Sequence, residues 1–417
     1  LNVRYVAALV LLAGLVALAA TLRGTHSLSR TDQVAAFIEK HWHRPIPAQG
    51  QAPSSYSDLE KSLDAAACGQ CHPAQYQDWG DSLHSHTMGA GLLWQLQVLP
   101  AKQVLSCLDC HAPLAEQKTL WARELGWPGI AQDRPPPYVP QDLHRQGLTC
   151  VACHVRGHRR FGPPPRAGSP PADTPGLPHA GYSAQAAFTD SRFCRGCHQF
   201  PKDGPALNGK LLENTYAEWR ASPYAAQGKS CQSCHMPQRR HQWRGIHDPE
   251  MVRQALTTTL EVMPTDDGRL QVLARLRNSG AGHYFPTYLV ARIDVSLVLL
   301  DPLGQIQAQL AEAVISRDVD IWLTEERNDN RLPPGGVLLL EEQMDQPLGA
   351  GWQVELRVDV APREHYERMF ASVLHNQGAD LPAPTRRILE TALSEARASR
   401  FTALQVRREI LPPAIAN

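Results

Sequence analysis

Five Cys-x-x-Cys-His motifs stand between Cys68 and His235, and they constrain this chain more than any other feature. They read CGQCH at 68–72, CLDCH at 107–111, CVACH at 150–154, CRGCH at 194–198 and CQSCH at 231–235. The pattern is that of covalent c-type haem attachment. Two thiols add across the two vinyl groups of one haem, and the adjacent histidine supplies an axial ligand to its iron. Five motifs therefore predict five haems c. Their attachment residues are Cys68, Cys71, Cys107, Cys110, Cys150, Cys153, Cys194, Cys197, Cys231 and Cys234. The first axial ligands are His72, His111, His154, His198 and His235. A zinc ribbon and a disulfide framework are the competing readings. Zinc sites built from CxxC pairs need no histidine at that place and come in twos. The motifs also consume all ten cysteines, so no thiol is left for a disulfide.

A polypeptide that wraps five large apolar macrocycles needs less side-chain core of its own. The 34 prolines cluster in the motif region and its loops, which predicts short helices there. Successive motifs begin 39, 43, 44 and 37 residues apart, a loose repeat of one haem per unit. The stretch GPPPRAGSPP at 162–171 reads as a surface loop. A length of 417 residues allows two or three domains. The formal net charge of zero argues against a nucleic-acid binder, which needs a strongly basic region.

In chain order, residues 1–23 hold an apolar run at 5–22 flanked by Arg4 and Arg23. It reads either as a membrane anchor or as a signal peptide with Ala17-Leu18-Ala19 as a cleavage site. Both readings put the rest of the chain outside the cytoplasm, periplasmic or on the outer face of the inner membrane. Residues 24–60 read as a linker. A short amphipathic stretch within it is capped at Thr31, and His41 and His43 face solvent. Residues 61–250 form the motif domain. After residue 250 the cysteines stop and alternation begins. Leu270, Val272, Ala274 and Leu276 share one face, as do Ile293, Val295, Leu297 and Leu299, and Trp352, Val354, Leu356 and Val358. With turns at DPLG (301–304) and PPGG (333–336), residues 251–362 predict an antiparallel β-sandwich-like domain. Residues 363–417 read as C-terminal helices, at 363–376 and 385–400. The expected fold class is α+β.

An iron held by one histidine has a sixth position to fill. With two imidazoles it is saturated and passes electrons, whereas an open iron binds substrate. The chain has 18 histidines, so five second ligands are available beyond the five motif residues. Methionine serves this role in other haem proteins and raises the potential, and Met88 and Met236 lie near motifs.

The segment CGQCHPAQYQDWGDSLHSH resembles the opening unit of the multihaem cytochrome c family that includes the tetrahaem electron carrier of ammonia oxidisers. The matching residues are Cys68, Cys71, His72, Tyr76, Trp79, Ser82 and His84. The resemblance implies His84 as a distal ligand, with His86 as the alternative. It places further distal ligands at His144 before the third motif and His179 before the fourth. After the fifth motif it implies His247, with His241 as the lesser option. GAGHYFPT at 280–287 is similar to a motif of the family's β domain, in which His283 reaches back to a haem. The chain departs from the named carrier by its fifth motif and by Tyr288, where the β motif has Gly.

The leading expectation is electron transfer through mostly bis-histidine haems, without catalysis, between redox protein partners such as a membrane quinol oxidoreductase. The N-terminal segment would hold the chain at a membrane, and assembly with other cytochromes fits the same role. The alternative is a reductase or oxidase of a small nitrogen or sulfur compound at one open haem. No CxxCK motif is present to mark a lysine-ligated catalytic haem.

Overall fold

The computed structural model describes residues 29–130, 134–347 and 349–411. The apolar run at 5–22 lies outside the described residues. Among those that are described, no helix is long and apolar enough to cross a membrane. The fold class is α+β, as the sequence patterns predict.

The first helix, α1, runs Arg30–His41 and buries Val34 and Ile38 against Ala187 and Phe193. Its cap lies two residues before the expected one. Ser29 is extended outside the helix, and its Oγ accepts the Asp32 N–H at 3.2 Å, while Thr31 is already helical. The expected linker behind it is a strap packed on the motif region. Ile46 and Gln49 are buried, and the Gln49 N–H donates to the buried Glu116 carboxylate at 2.7 Å. His41 does not face solvent. It is 4% exposed, stacks on Phe37, and donates from Nε2 to the Cys153 carbonyl at 2.9 Å.

The motifs sit on short turns of helix. Four lie in or across α-helices, at Ala65–Gly69, Ala101–His111, Cys150–His154 and Cys231–His235, and the fourth in order lies on a 3-10 turn, Ser191–Gly196. Side-chain caps start three of these turns. Asp64 accepts from Ala66 N–H, Asp190 from Arg192 N–H and Ser230 from Ser233 N–H. One capped turn is enough to present two cysteines and a histidine on one side.

Seven long strands follow: β1 (Leu256–Pro264), β2 (Leu270–Asn278), β3 (Arg292–Leu300), β4 (Ile306–Ile315), β5 (Val337–Met344), β6 (Gln353–Ala361) and β7 (Phe401–Glu409). They form two antiparallel sheets, β5-β2-β1 and β7-β6-β3-β4, whose inner faces make one apolar core. The residues that alternate in the sequence fill it. Val272, Ile293, Leu297, Val354 and Val358 are fully buried. The chain does not close on helices. Helices Glu364–Gln377 and Ala383–Ala398 lie between β6 and β7, and β7 returns to pair with β6. The helix pair packs on the motif domain, with Phe370 edge-on to Trp94 at 6.0 Å.

Charged groups bury the seam between the two regions. Arg317, 1% exposed, pairs with Glu326 at 2.8 Å and donates to the Leu207 and Leu211 carbonyls. Glu218 accepts from Tyr284 N–H (3.1 Å) and Thr287 Oγ1 (2.7 Å), and pairs with Arg331 at 3.3 Å. This seam fixes the loop that carries His283.

Candidate metal centres

Three of the five motif histidines are held by backbone carbonyls. His111 donates from Nδ1 to Thr87 O at 2.9 Å, His154 to Phe161 O at 2.8 Å and His235 to Arg244 O at 2.7 Å. A carbonyl at Nδ1 requires the proton there and leaves the Nε2 lone pair free, the arrangement that orients a metal-bound imidazole. The same device appears outside the motifs, at His86 and at three further histidines. His179 donates to Gly181 O (2.8 Å), His241 to Arg239 O (3.0 Å) and His283 to Tyr284 O (2.8 Å).

Three of these histidine rings face a partner at nearly one distance. The ring centres of His154 and His241 are 6.2 Å apart, those of His235 and His283 6.3 Å, and those of His198 and His84 6.4 Å. An iron with an imidazole nitrogen about 2 Å away on either side, each ring centre about 1.1 Å further back, needs roughly 6.2 Å between centres. The gaps fit that group. The rings of His235 and His283 are nearly parallel, at 10°, and the other two pairs are tilted by 37° and 58°. Among the described residues, no three His, Cys, Asp or Glu side chains gather to hold one ion, so donors come in facing pairs rather than in zinc-like clusters. All ten cysteines are free of disulfides, as thioether attachment requires. Burial pushes the His84 imidazole down to about 3 and those of His154 and His235 to about 4. These imidazoles stay neutral, the state that ligates a metal.

His72 and His179 form a fourth, looser association. Burial and then the neighbouring His179 lower the His72 pKa. His111 has no such partner, because no other histidine ring stacks or faces it among the described residues. Near its motif, Tyr288 and Tyr366 bring their hydroxyls to 3.5 Å, and both feel the Cys107 thiol. Tyr288 is the residue that replaces Gly in the similar β motif.

Of the expected distal residues, the structure brings the rings of His84 and His283 to motif histidines, and His179 is an electrostatic neighbour of His72. It does not bring His144 or His247. His144 is buried with its ring edge-on to Trp121, and its Nε2 meets the Glu124 carboxylate at 2.8 Å. Its Nε2 is thus committed to that carboxylate, while its Nδ1 is buried without a hydrogen bond. His247 has Arg363 as its charged neighbour, and burial, then that guanidinium, lower its pKa to about 4. The sequence left His241 as the lesser option after the fifth motif, yet it is His241 that faces His154. His86 is exposed and donates from Nδ1 to Ser82 O at 2.9 Å. Met88 is buried among Val104, Leu108 and Trp121.

Sequence reasoning also missed Trp243. Its ring stands edge-on to His84 at 4.5 Å and to His241 at 5.1 Å, so one indole braces two of the facing pairs. Its backbone has φ of 42°, a left-handed conformation rare for a bulky residue and a mark of functional constraint. Gly147 is needed nearby. At φ of 66° it lies on the His84 turn, where a Cβ would come within 2.7 Å of the His84 and Ser85 carbonyls.

The attachment thiols of different motifs are also electrostatic neighbours. Cys68 lies within hydrogen-bonding reach of Cys150, Cys110 of Cys197 and Cys194 of Cys231. Cys153 feels both Cys194 and Cys197. Motif order in space is therefore first, third, fourth and fifth, with the second beside the fourth.

Residues 67–131 match the family model described as cytochrome c554 and c-prime. No curated protein matches the chain. In fold the chain is similar to a penta-heme cytochrome c552 from Thermochromatium tepidum. The TM-score is 0.58 at 19% identity, over 84% of this chain and 100% of that one. These likenesses support a multihaem c-type cytochrome. Were haems attached at these motifs, the cysteines would hold them and the buried, neutral imidazoles would be available as ligands, those with a carbonyl at Nδ1 through Nε2.

Proposed function

We propose that the chain carries electrons between redox proteins through five covalently bound haems c, most of them held by two histidines. The observation that carries this reading is the set of three histidine pairs with ring centres 6.2 to 6.4 Å apart. Bis-histidine iron is saturated, so it exchanges electrons without binding substrate, and the protein supplies spacing and axial ligands. On this reading His84 serves the haem of His198, His241 that of His154, His283 that of His235 and His179 that of His72. The thiol contacts favour a route through the first, third, fourth and fifth haems, with the second joined at the fourth. The protein acts outside the cytoplasm, where haem is joined to CxxCH, and the apolar run at 5–22 holds it to the inner membrane or directs its export. A membrane quinol oxidoreductase and other cytochromes are the partners such a carrier fits. The test is stopped-flow reduction. A quinol oxidoreductase or a small one-electron donor should reduce all five haems in one connected process. A set of haems that stays ferric while its neighbours are reduced would refute the shared route.

One observation favours a second reading, a reductase or oxidase of a small nitrogen or sulfur compound. Among the described residues no histidine ring faces His111, and the Tyr288 and Tyr366 hydroxyls stand beside its motif. On this reading the second haem keeps an open position, with two phenols near it as proton donors. Addition of nitrite, sulfite or cyanide to the ferric protein tests it. A spectral change titrating to one site per chain supports the enzyme, and its absence leaves the carrier alone.

A further inference from the structure

The strap after α1 inserts Arg44 between two attachment motifs. Its Nη1 lies 3.6 Å from Cys110 Sγ, and its Nη2 lies 3.3 Å from Cys197 Sγ. Nη2 also donates to the Gly196 carbonyl at 2.8 Å, which fixes the guanidinium in place. One cation thus spans the second and fourth motifs through one sulfur of each. The guanidinium stays charged at every working pH. Once the sulfurs are thioethers they offer it only weak acceptors and no compensating charge. Among the described residues no carboxylate lies within ion-pair distance of Arg44. Asp109, the nearest acid it feels, is held by Lys118. The positive charge therefore acts on whatever is attached at these two motifs.

Reduction of a ferric iron adds one electron and removes one unit of positive charge, with no bond broken and no proton required. A fixed cation nearby favours the reduced form. We propose that Arg44 is a positioning and tuning residue, an electrostatic clamp that raises together the reduction potentials of the haems attached at Cys107/Cys110 and Cys194/Cys197. This rests on the five-haem carrier reading. Its consequence is a matched pair at the junction of the route, where an electron from a one-electron donor comes to rest before leaving. At an effective dielectric of about 20 and a charge–iron separation of about 10 Å, the effect is about tenfold in the one-electron equilibrium. That is about 59 mV for a one-electron couple.

The experiment compares the wild-type chain with R44Q and R44K. Pyridine haemochrome counting comes first, and fewer than five haems in the wild type would sink the carrier reading rather than this one. Spectroelectrochemical titration with dithionite as reductant then resolves the midpoints. In R44Q two midpoints should fall, each by about tenfold in the equilibrium constant, and the others should stay. R44K keeps the charge and should hold the same two near their wild-type values. The proposal is overturned if R44Q with full haem content leaves every midpoint unmoved, or moves all of them alike. R44K decides even where R44Q loses haem, since a Lys variant whose pair drops without its neighbours shows that charge is not the cause.

Discussion

Replacing Glu218 by alanine tests how the β-sandwich controls a metal ligand. The Glu218 side chain, 5% exposed, accepts two hydrogen bonds from the loop that follows His283 and pairs with Arg331, 7% exposed. Each hydrogen bond to a charged group is worth about 1.5–3 kcal/mol, and breaking a buried pair by deleting one partner costs about 3–5 kcal/mol. Two effects reduce that sum. Burial raises the Glu218 pKa, so part of its bonding only offsets desolvation, which alanine recovers. Arg331 also keeps Asp329 at 2.8 Å. A net loss of about 3 kcal/mol is expected, roughly a hundredfold in the local opening equilibrium. Amide exchange over residues 278–290, measured by mass spectrometry, should accelerate by that factor. A fraction of the haem on His235 should turn high-spin as His283 loses its support. Glu218→Gln keeps an acceptor for Tyr284 and Thr287 and should cost less than half as much. Unchanged exchange in Glu218→Ala, or a glutamine variant as damaged as the alanine one, would refute the reasoning.

Three further outcomes are expected. His144→Ala should leave the spin state of every haem unchanged while lowering the melting temperature, because its ring packs on Trp121 and pairs with Glu124; a new high-spin signal would restore His144 as a ligand. Trp243→Ala should loosen His84 and His241 together and give high-spin character at two haems, read by ferric EPR, whereas a change at one haem alone would contradict the shared brace. At the seam, burial raises the Asp329 pKa, but Arg331 and Lys210 outweigh it and hold the carboxyl well below its ordinary value. A depressed carboxyl contributes stability that is present above the unfolded value and is lost as pH falls through the folded one. Acid titration of unfolding should therefore show loss beginning below about pH 4, and Asp329→Asn should flatten that limb.

Attachment chemistry was legible in the sequence because it is local: two thiols and a histidine within five residues. The inner faces of the sandwich were legible for the same reason, since strand alternation is a period-two pattern. The histidines that face motif histidines were less so, because each is placed by contacts from far along the chain. His241 and His247 lie in one loop with no periodicity, and only the Asp78 carboxylate, which binds Arg240 and the His241 N–H, selects between them. His144 has the right place in the sequence but is captured by Glu124. Strand β7 escaped notice because a bulge breaks its pattern. The register with β6 shifts between Val358 and Asp359, so Phe401 and Ala403, then Leu404 and Val406, all turn toward the core. The strap at 42–50 was read as a linker from its prolines and polar residues. Its burial depends on Trp42, Arg44 and Gln49 meeting the motif region, which no local pattern records.

The central claim is that facing histidines hold the irons. Ferric EPR with spin quantitation, normalised to haems counted per chain, tests it most directly when applied to His84→Ala, His241→Ala and His283→Ala. The account expects five haems in the wild type and the conversion of one low-spin iron to high spin in each variant, with a different iron in each. A variant that keeps all its low-spin signals, or two variants that convert the same iron, would contradict it.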